Sequence, residues 1–233
     1  MKKKQLIFIT QAKGGSGKSI LTFLLAEKFR KATIIEMDDA TKTTTIYLAY
    51  RNPIRVTFLN KRKQIDRALF NDFLEEIAQS EDELFICDLG AAISEQLPFY
   101  LIEENEILPE LLEALNLEII FLIVVGGGNI FSQTFSYLKE LHKVAGPTVP
   151  MYVMKNGHFD FDQEQEELLE AYTSAKKLPV HYYNITEDKN DPAQNRVKEV
   201  LKSGLGIDAA ITYSKILFQK AINRLNISFD NLL

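Results

Sequence analysis

Short runs of β-branched and aromatic residues recur along the chain, and between most of them the apolar positions fall at helical spacing. Leu6–Thr10, Thr33–Met37, Leu84–Cys87, Ile119–Val125, Met151–Met154 and Pro179–Tyr183 read as strands. Ser19–Lys31 carries Leu21, Leu24, Leu25 and Phe29 on one helical face, and Phe70–Ala78 does the same through Phe70, Phe73, Leu74 and Ile77. Phe131–Val144, Glu164–Ala175, Asn195–Leu201 and Ala209–Leu225 read as further helices. Strands that are apolar at every position are buried on both faces. Alternated with helices, they predict an α/β fold: a mostly parallel β-sheet flanked by helices on both faces. The stretch Arg51–Arg67 is the hardest to assign, with a short edge strand expected at Ile54–Phe58. Neither a linker nor a repeat interrupts the pattern, so residues 1–233 are expected to form a single domain.

The strongest chemical signal follows the first strand. Lys13-Gly14-Gly15-Ser16-Gly17-Lys18-Ser19 leaves a buried strand and opens a helix, the context a phosphate-binding loop requires, and Ala12 stands where the usual first glycine would be. Gly14, Gly15 and Gly17 let backbone N–H groups converge on phosphate oxygens. The helix that begins near Lys18 aims its positive end at the same anion. Lys18 brings a full charge to the β- and γ-phosphates, and the Ser19 hydroxyl suits magnesium. The expected nucleotide-binding set is Gly14, Gly15, Ser16, Gly17, Lys18, Ser19 and Ile20, with ATP and Mg2+ as the ligands.

The loop resembles the deviant Walker A loop of the ParA/MinD family of P-loop ATPases, with Lys13 on that family's signature lysine. The resemblance implies a P-loop NTPase fold, slow ATP hydrolysis and an ATP-dependent homodimer in which Lys13 reaches the phosphates held by the other subunit. A second lysine there would stabilise developing charge as an arginine finger does. It also implies roles for two acidic strand ends. In Glu36-Met37-Asp38-Asp39, Asp38 falls on the aspartate that positions the attacking water and is a candidate near the metal; Glu36, Asp39 and Ala40 depart from the family pattern. Leu84-Phe85-Ile86-Cys87-Asp88 resembles a Walker B strand, with Asp88 holding magnesium, and Gly90 sits where a switch segment would sense the γ-phosphate. Asn156 falls on the family's adenine-reading asparagine.

Composition narrows the choice within related families. Cys87 is the one cysteine, which excludes iron–sulfur members and any internal disulfide; it is expected to pack in the sheet. The three histidines, His142, His158 and His181, lack metal-ligand spacing. Lys2-Lys3-Lys4 before Leu6–Ile9 looks like the front of a signal peptide, but glycine-rich sequence follows at once, and no run approaches a membrane span. The protein is expected to be cytoplasmic, without stable membrane association; the apolar face of Ile216, Leu217, Ala221, Ile222 and Leu225 is expected to be core. Short stretches, Val124–Asn129 among them, are similar to the TraL and StbB proteins of conjugative plasmids. A formal net charge of −5 argues against a wholly nucleic-acid-binding surface, yet Arg51, Arg55, Lys61, Arg62, Lys63 and Arg67 form a basic segment that could meet DNA or an acidic partner. The expected function is a dimerising ATPase switch in plasmid partition, maintenance or conjugative transfer. The alternatives are a ligase or kinase on the same scaffold, such as a dethiobiotin synthetase relative, and a nucleotide-binding scaffold that no longer hydrolyses.

Overall fold

A computed structural model describes residues 2–38, 41–146, 148–186 and 193–225; Asp39, Ala40 and the chain end 226–233 lie outside the described residues. Among the described residues there are seven strands: β1 (Lys4–Thr10), β2 (Thr33–Met37), β3 (Ile54–Arg55), β4 (Leu84–Leu89), β5 (Leu117–Gly126), β6 (Met151–Asn156) and β7 (Val180–Tyr183). They form one sheet in the order β3-β2-β4-β1-β5-β6-β7, and every pairing is parallel.

Parallel neighbours need crossovers, and helices supply them. The helices are α1 (Lys18–Lys28), α2 (Thr43–Tyr47), α3 (Arg67–Gln79), α4 (Ala91–Glu103), α5 (Ile107–Ala114), α6 (Phe131–Ala145), α7 (Gln163–Lys176), α8 (Ala193–Ser203) and α9 (Thr212–Arg224). Strand periodicity sorts the core into two layers. Leu6 and Phe8 of β1, with Phe121 and Ile123 of β5, face a layer closed by α3–α7. Ile7 and Ile9, with Ile120 and Leu122, face the other layer, closed by α1, α8 and α9. Cys87 is buried in the first layer. In α9, Ala221, Ile222 and Leu225 are core as expected, joined by Phe218, while Ile216 is exposed.

Three helices were not legible in the sequence. The α2 segment is three threonines, an isoleucine and a tyrosine, poor helix formers that tertiary contacts hold in place. The α4 helix contains Pro98, whose missing N–H interrupts the ladder, and its apolar residues are spread around the axis. The α5 helix is eight residues long, too short for periodicity to speak. In the difficult stretch, the edge strand forms as expected but contracts to Ile54–Arg55, paired only with β2.

The sheet places the site. The chain leaves β1 for β2 on one side of the sheet, and β4 passes over β1 to reach β5 on the other. The order therefore reverses at β1, and a ligand crevice is expected beyond its carboxyl end. The glycine loop starts there.

Candidate nucleotide site

The loop between β1 and α1 is clamped from three strands. Gln11 donates its amide to the carbonyls of Val124 (2.7 Å) and Thr134 (3.2 Å) and accepts from the Lys13 N–H at 3.2 Å. The Asn156 amide at the end of β6 donates to the Ser16 carbonyl at 2.7 Å. Tyr183, at the end of β7, donates its hydroxyl to the Gly17 carbonyl at 3.2 Å. Gly17 has φ +101°, and a Cβ there would lie 2.3 Å from Asn156 Nδ2 and 2.9 Å from the Tyr183 oxygen. Glycine is thus required both for conformation and for space. By contrast, a Cβ on Gly14 or Gly15 would meet nothing within 4 Å, because those backbones face open volume.

That volume is a cavity of about 790 Å³. Gly14–Ile20 form one wall, Met37, Asp38 and Thr41 another, and Gly90–Ile93 a third, with Tyr47, Leu59, Asn60 and Lys63 extending it outward. Gly90 makes the second and third walls meet: its N–H donates to the Met37 carbonyl at 3.2 Å, and a Cβ would lie 3.0 Å from the Asp38 Cα.

Charge at the base of the cavity is buried and poorly compensated. Lys18 is 8% exposed and donates to the Gln11 carbonyl at 2.9 Å. Burial lowers its pKa, opposed by the nearby charges of Asp88 and Asp38. Asp88 is 2% exposed, and its Oδ2 accepts from Ser19 Oγ at 2.7 Å and Thr44 Oγ1 at 2.5 Å. Burial pushes its carboxyl up to about 6, against the hydrogen bond from Thr44, the charge of Lys18 and the hydrogen bond from Ser19. Both groups are displaced toward their neutral forms, as expected when opposite charges share a desolvated pocket without touching. Ser16 Oγ is buried and has no hydrogen-bond partner.

These features fit a metal–polyphosphate. The orphaned Ser16 hydroxyl and the open backbone of Gly14 and Gly15 call for an acceptor-rich anion. Ser19 and Asp88 present oxygen donors side by side, the chemistry a hard divalent cation takes. No cluster of three or more His, Cys, Asp or Glu side chains able to hold a metal occurs among the described residues, so a cation here would complete its shell from phosphate oxygens and water.

Lys18, Ser19, Ile20, Asp38 and the loop glycines converge on one cavity, and Asp88 lies beneath it, bonded to Ser19. Asp38 accepts from the Thr41 hydroxyl at 2.7 Å and the Thr41 N–H at 3.3 Å. Lys13 is half-buried and outside the cavity wall. Asn156 also lies outside the wall, with its amide on the loop backbone. Gln11, Thr44 and Tyr183 escaped sequence reading, since no local pattern marks a residue whose partner is a distant carbonyl or carboxylate. Glu36 is 1% exposed and faces α2, accepting from the Thr44 N–H at 2.9 Å and from the Thr45 hydroxyl.

The basic segment divides on folding. Arg51 donates to the carbonyls of Ala26 and Ala32, both at 2.8 Å, tying down the end of α1. Arg55 lies 3.7 Å from Glu36, and Arg67 pairs with Glu103 and Glu104. Lys61, Arg62 and Lys63 are exposed. No helix among the described residues is long and apolar enough to cross a membrane.

No protein-family model and no curated protein matches the sequence. Solved structures do. A plasmid partition protein of Borrelia burgdorferi bound to AMPPNP aligns over 98% of this chain and 100% of its own, at 15% identity and a TM-score of 0.57. Chloroplast FtsY of Physcomitrella patens aligns over 88% of this chain and 66% of its own, at 13% identity and a TM-score of 0.52. The MinD cell division protein of Aquifex aeolicus aligns over 95% and 94%, at 15% identity and a TM-score of 0.49. The likenesses at TM-scores of 0.57 and 0.52 show the fold alone, the P-loop NTPase fold.

Proposed function

We propose that this chain is an ATP- and magnesium-dependent ATPase that dimerises around bound nucleotide, a switch of the ParA/MinD type serving plasmid partition, maintenance or conjugative transfer. The observation that carries the reading is the base of the cavity: a buried, unpartnered Ser16 hydroxyl and a buried Lys18 beside open glycine backbone, with Ser19 and Asp88 together at its floor. The plasmid partition protein with this fold binds AMPPNP, an ATP analogue, which supports ATP as the ligand.

In this reading the N–H groups of Gly14–Lys18 hold the β-phosphate, and Lys18 leaves the Gln11 carbonyl to meet the β- and γ-oxygens. Ser19, with Asp88 behind it, would hold magnesium, which would supply neutralisation of phosphate charge. Asp38 orients a water whose oxygen bonds to the γ-phosphorus as the bond to the β-bridging oxygen breaks, giving ADP and phosphate. Lys13 stands outside its own cavity, which fits a role on a partner subunit's phosphates. Nucleotide binding then links to subunit affinity. A second reading, a ligase or kinase, draws on the cavity's extension to Tyr47 and Leu59, apolar surface a triphosphate does not need.

Sedimentation with Mg·ATP tests the switch. Wild type should shift from monomer to dimer, while Lys13→Ala keeps its ATP affinity by calorimetry, stays monomeric and loses most turnover. Lys18→Ala should lose ATP binding outright. A wild type that binds ATP but remains monomeric at high concentration removes the dimer, and turnover that demands a small-molecule acceptor favours the second reading.

A further inference from the structure

Lys61, Arg62 and Lys63 occupy the tip of a hairpin closed by an antiparallel bridge between Leu59 and Ile65. The turn is tightly built. The Asn60 N–H donates to the Gln64 carbonyl and the Lys63 N–H to the Asn60 carbonyl, both at 2.8 Å, while Asn60 Oδ1 accepts from the N–H groups of Arg62 (2.8 Å) and Gln64 (3.1 Å). Gln96 of α4 fastens the hairpin from outside. Its Oε1 accepts from the Ile65 N–H at 3.0 Å, and its Nε2 donates to the Lys63 carbonyl at 2.9 Å and to the Ala92 carbonyl at 3.0 Å. The hairpin is therefore moored to the second turn of the helix that follows Gly90.

Asn60 and Lys63 line the same cavity as the glycine loop and Asp38. Among the described residues the Lys63 ammonium makes no ion pair, whereas Arg55 and Arg67 of the same basic segment meet glutamates and Arg51 is held by two backbone carbonyls. The charged side chains on the cavity wall are Lys18, Lys63 and Asp38, with Asp88 beneath it, and of the two lysines Lys63 is the exposed one. Mg·ATP carries about two negative charges at neutral pH, Mg·ADP about one. The loop wraps the phosphates nearest to it. A cation on the hairpin side of the same cavity is placed for a phosphate that protrudes from the loop.

Resting on the nucleotide reading above, we propose that Lys63 is a second phosphate-contacting cation, supplied by the hairpin within the same chain, that recognises the terminal phosphate of a nucleoside triphosphate. Gln96 holds it in place and couples it to α4, so that the segment after Gly90 and the hairpin respond to the γ-phosphate together.

Calorimetric titration of Mg·ATP and Mg·ADP into wild type, Lys63→Gln, Lys63→Arg and Gln96→Ala tests this, with thermal unfolding to confirm that each variant is folded. Lys63→Gln should weaken Mg·ATP about tenfold, about 1.4 kcal/mol, and Mg·ADP by less than about twofold. Lys63→Arg should retain most of the preference. Gln96→Ala should lose it with the charge still present, because the hairpin is unmoored. Added salt should narrow the wild-type preference, since the lysine is solvent-accessible. Equal loss for both nucleotides, or no loss for either, overturns the proposal while leaving the nucleotide site intact. A wild type that binds neither nucleotide overturns both.

Discussion

Replacing Asp88 by asparagine should stabilise the nucleotide-free protein, and do so only where the carboxyl is ionised. The carboxyl is 2% exposed, and burial raises its pKa from 3.8 to about 6. The folded state therefore holds this proton more tightly than the unfolded chain. The group's stabilising contribution is complete below about pH 4 and is lost as pH rises through about 6. About two units at about 1.4 kcal/mol each make the ionised form cost roughly 3 kcal/mol at neutral pH. Asparagine stays neutral throughout, and its Oδ1 can still accept from Ser19 and Thr44. The expected stability difference, variant minus wild type, is near zero below about pH 4 and climbs to roughly 3 kcal/mol above about pH 7. For a chain of this length that corresponds to roughly 6–12 °C in Tm. Urea unfolding in EDTA, at pH steps between about 4 and about 8, measures it. Mg·ATP should reverse the ranking, because the carboxylate then has a cation nearby and the amide does not. A variant no more stable than wild type at about pH 8, or a difference flat with pH, would refute the idea that an undercompensated buried charge resides at Asp88.

Two further substitutions probe the walls of the cavity. Asp38→Ala should leave Mg·ATP affinity within about threefold while lowering turnover by about a hundredfold or more, since water orientation acts in the chemical step; normal single-turnover rates would make Asp38 structural. Gly17→Ala should abolish nucleotide binding in a titration and cost at least about 2 kcal/mol in urea unfolding, from a left-handed φ and a Cβ driven into Asn156 and Tyr183.

Strands that are buried on both faces announce themselves: Thr33–Met37 has the same bounds in sequence and structure, and β4 and β5 differ by no more than two residues at either end. The loop was legible for the same reason, because glycines, lysine and serine lie consecutively and their function is local. What holds the loop was not legible. Gln11 follows β1 while Asn156 and Tyr183 end β6 and β7, and their partners are backbone carbonyls, which carry no residue identity to pattern against. Asn156 was expected at an adenine on resemblance alone; in the folded chain its amide is spent on Ser16, and base contact is left as a proposal. The glycines at 126–128, which suggested the conjugation subgroup, have a packing reason of their own: a Cβ on Gly127 would lie 2.3 Å from the Asp160 carbonyl oxygen. The basic segment misled because sequence counts charges without pairing them. Arg51 caps α1 and Arg67 meets two glutamates, so any anionic partner of this segment has Lys61–Lys63 to work with.

Glu36 stands where the resemblance implies aspartate. The structure gives the longer side chain a different task. Its carboxylate points away from the cavity and gathers the Thr44 N–H and the Thr45 hydroxyl, the opening turn of α2. An isolated five-residue helix rich in threonine would not persist in water, so these two bonds hold it. Once held, Thr44 places its hydroxyl on Asp88. That hydrogen bond is the foremost of the effects opposing burial of the Asp88 charge. Glu36 thus acts on Asp88 in two ways, through the Thr44 hydroxyl that α2 presents and through its own charge, which raises the Asp88 carboxyl. Glu36→Asp should shorten the reach to Thr44, loosen α2 and raise the Asp88 pKa further. The departure at Glu36 therefore bears on how Thr44 and Asp88 are ordered.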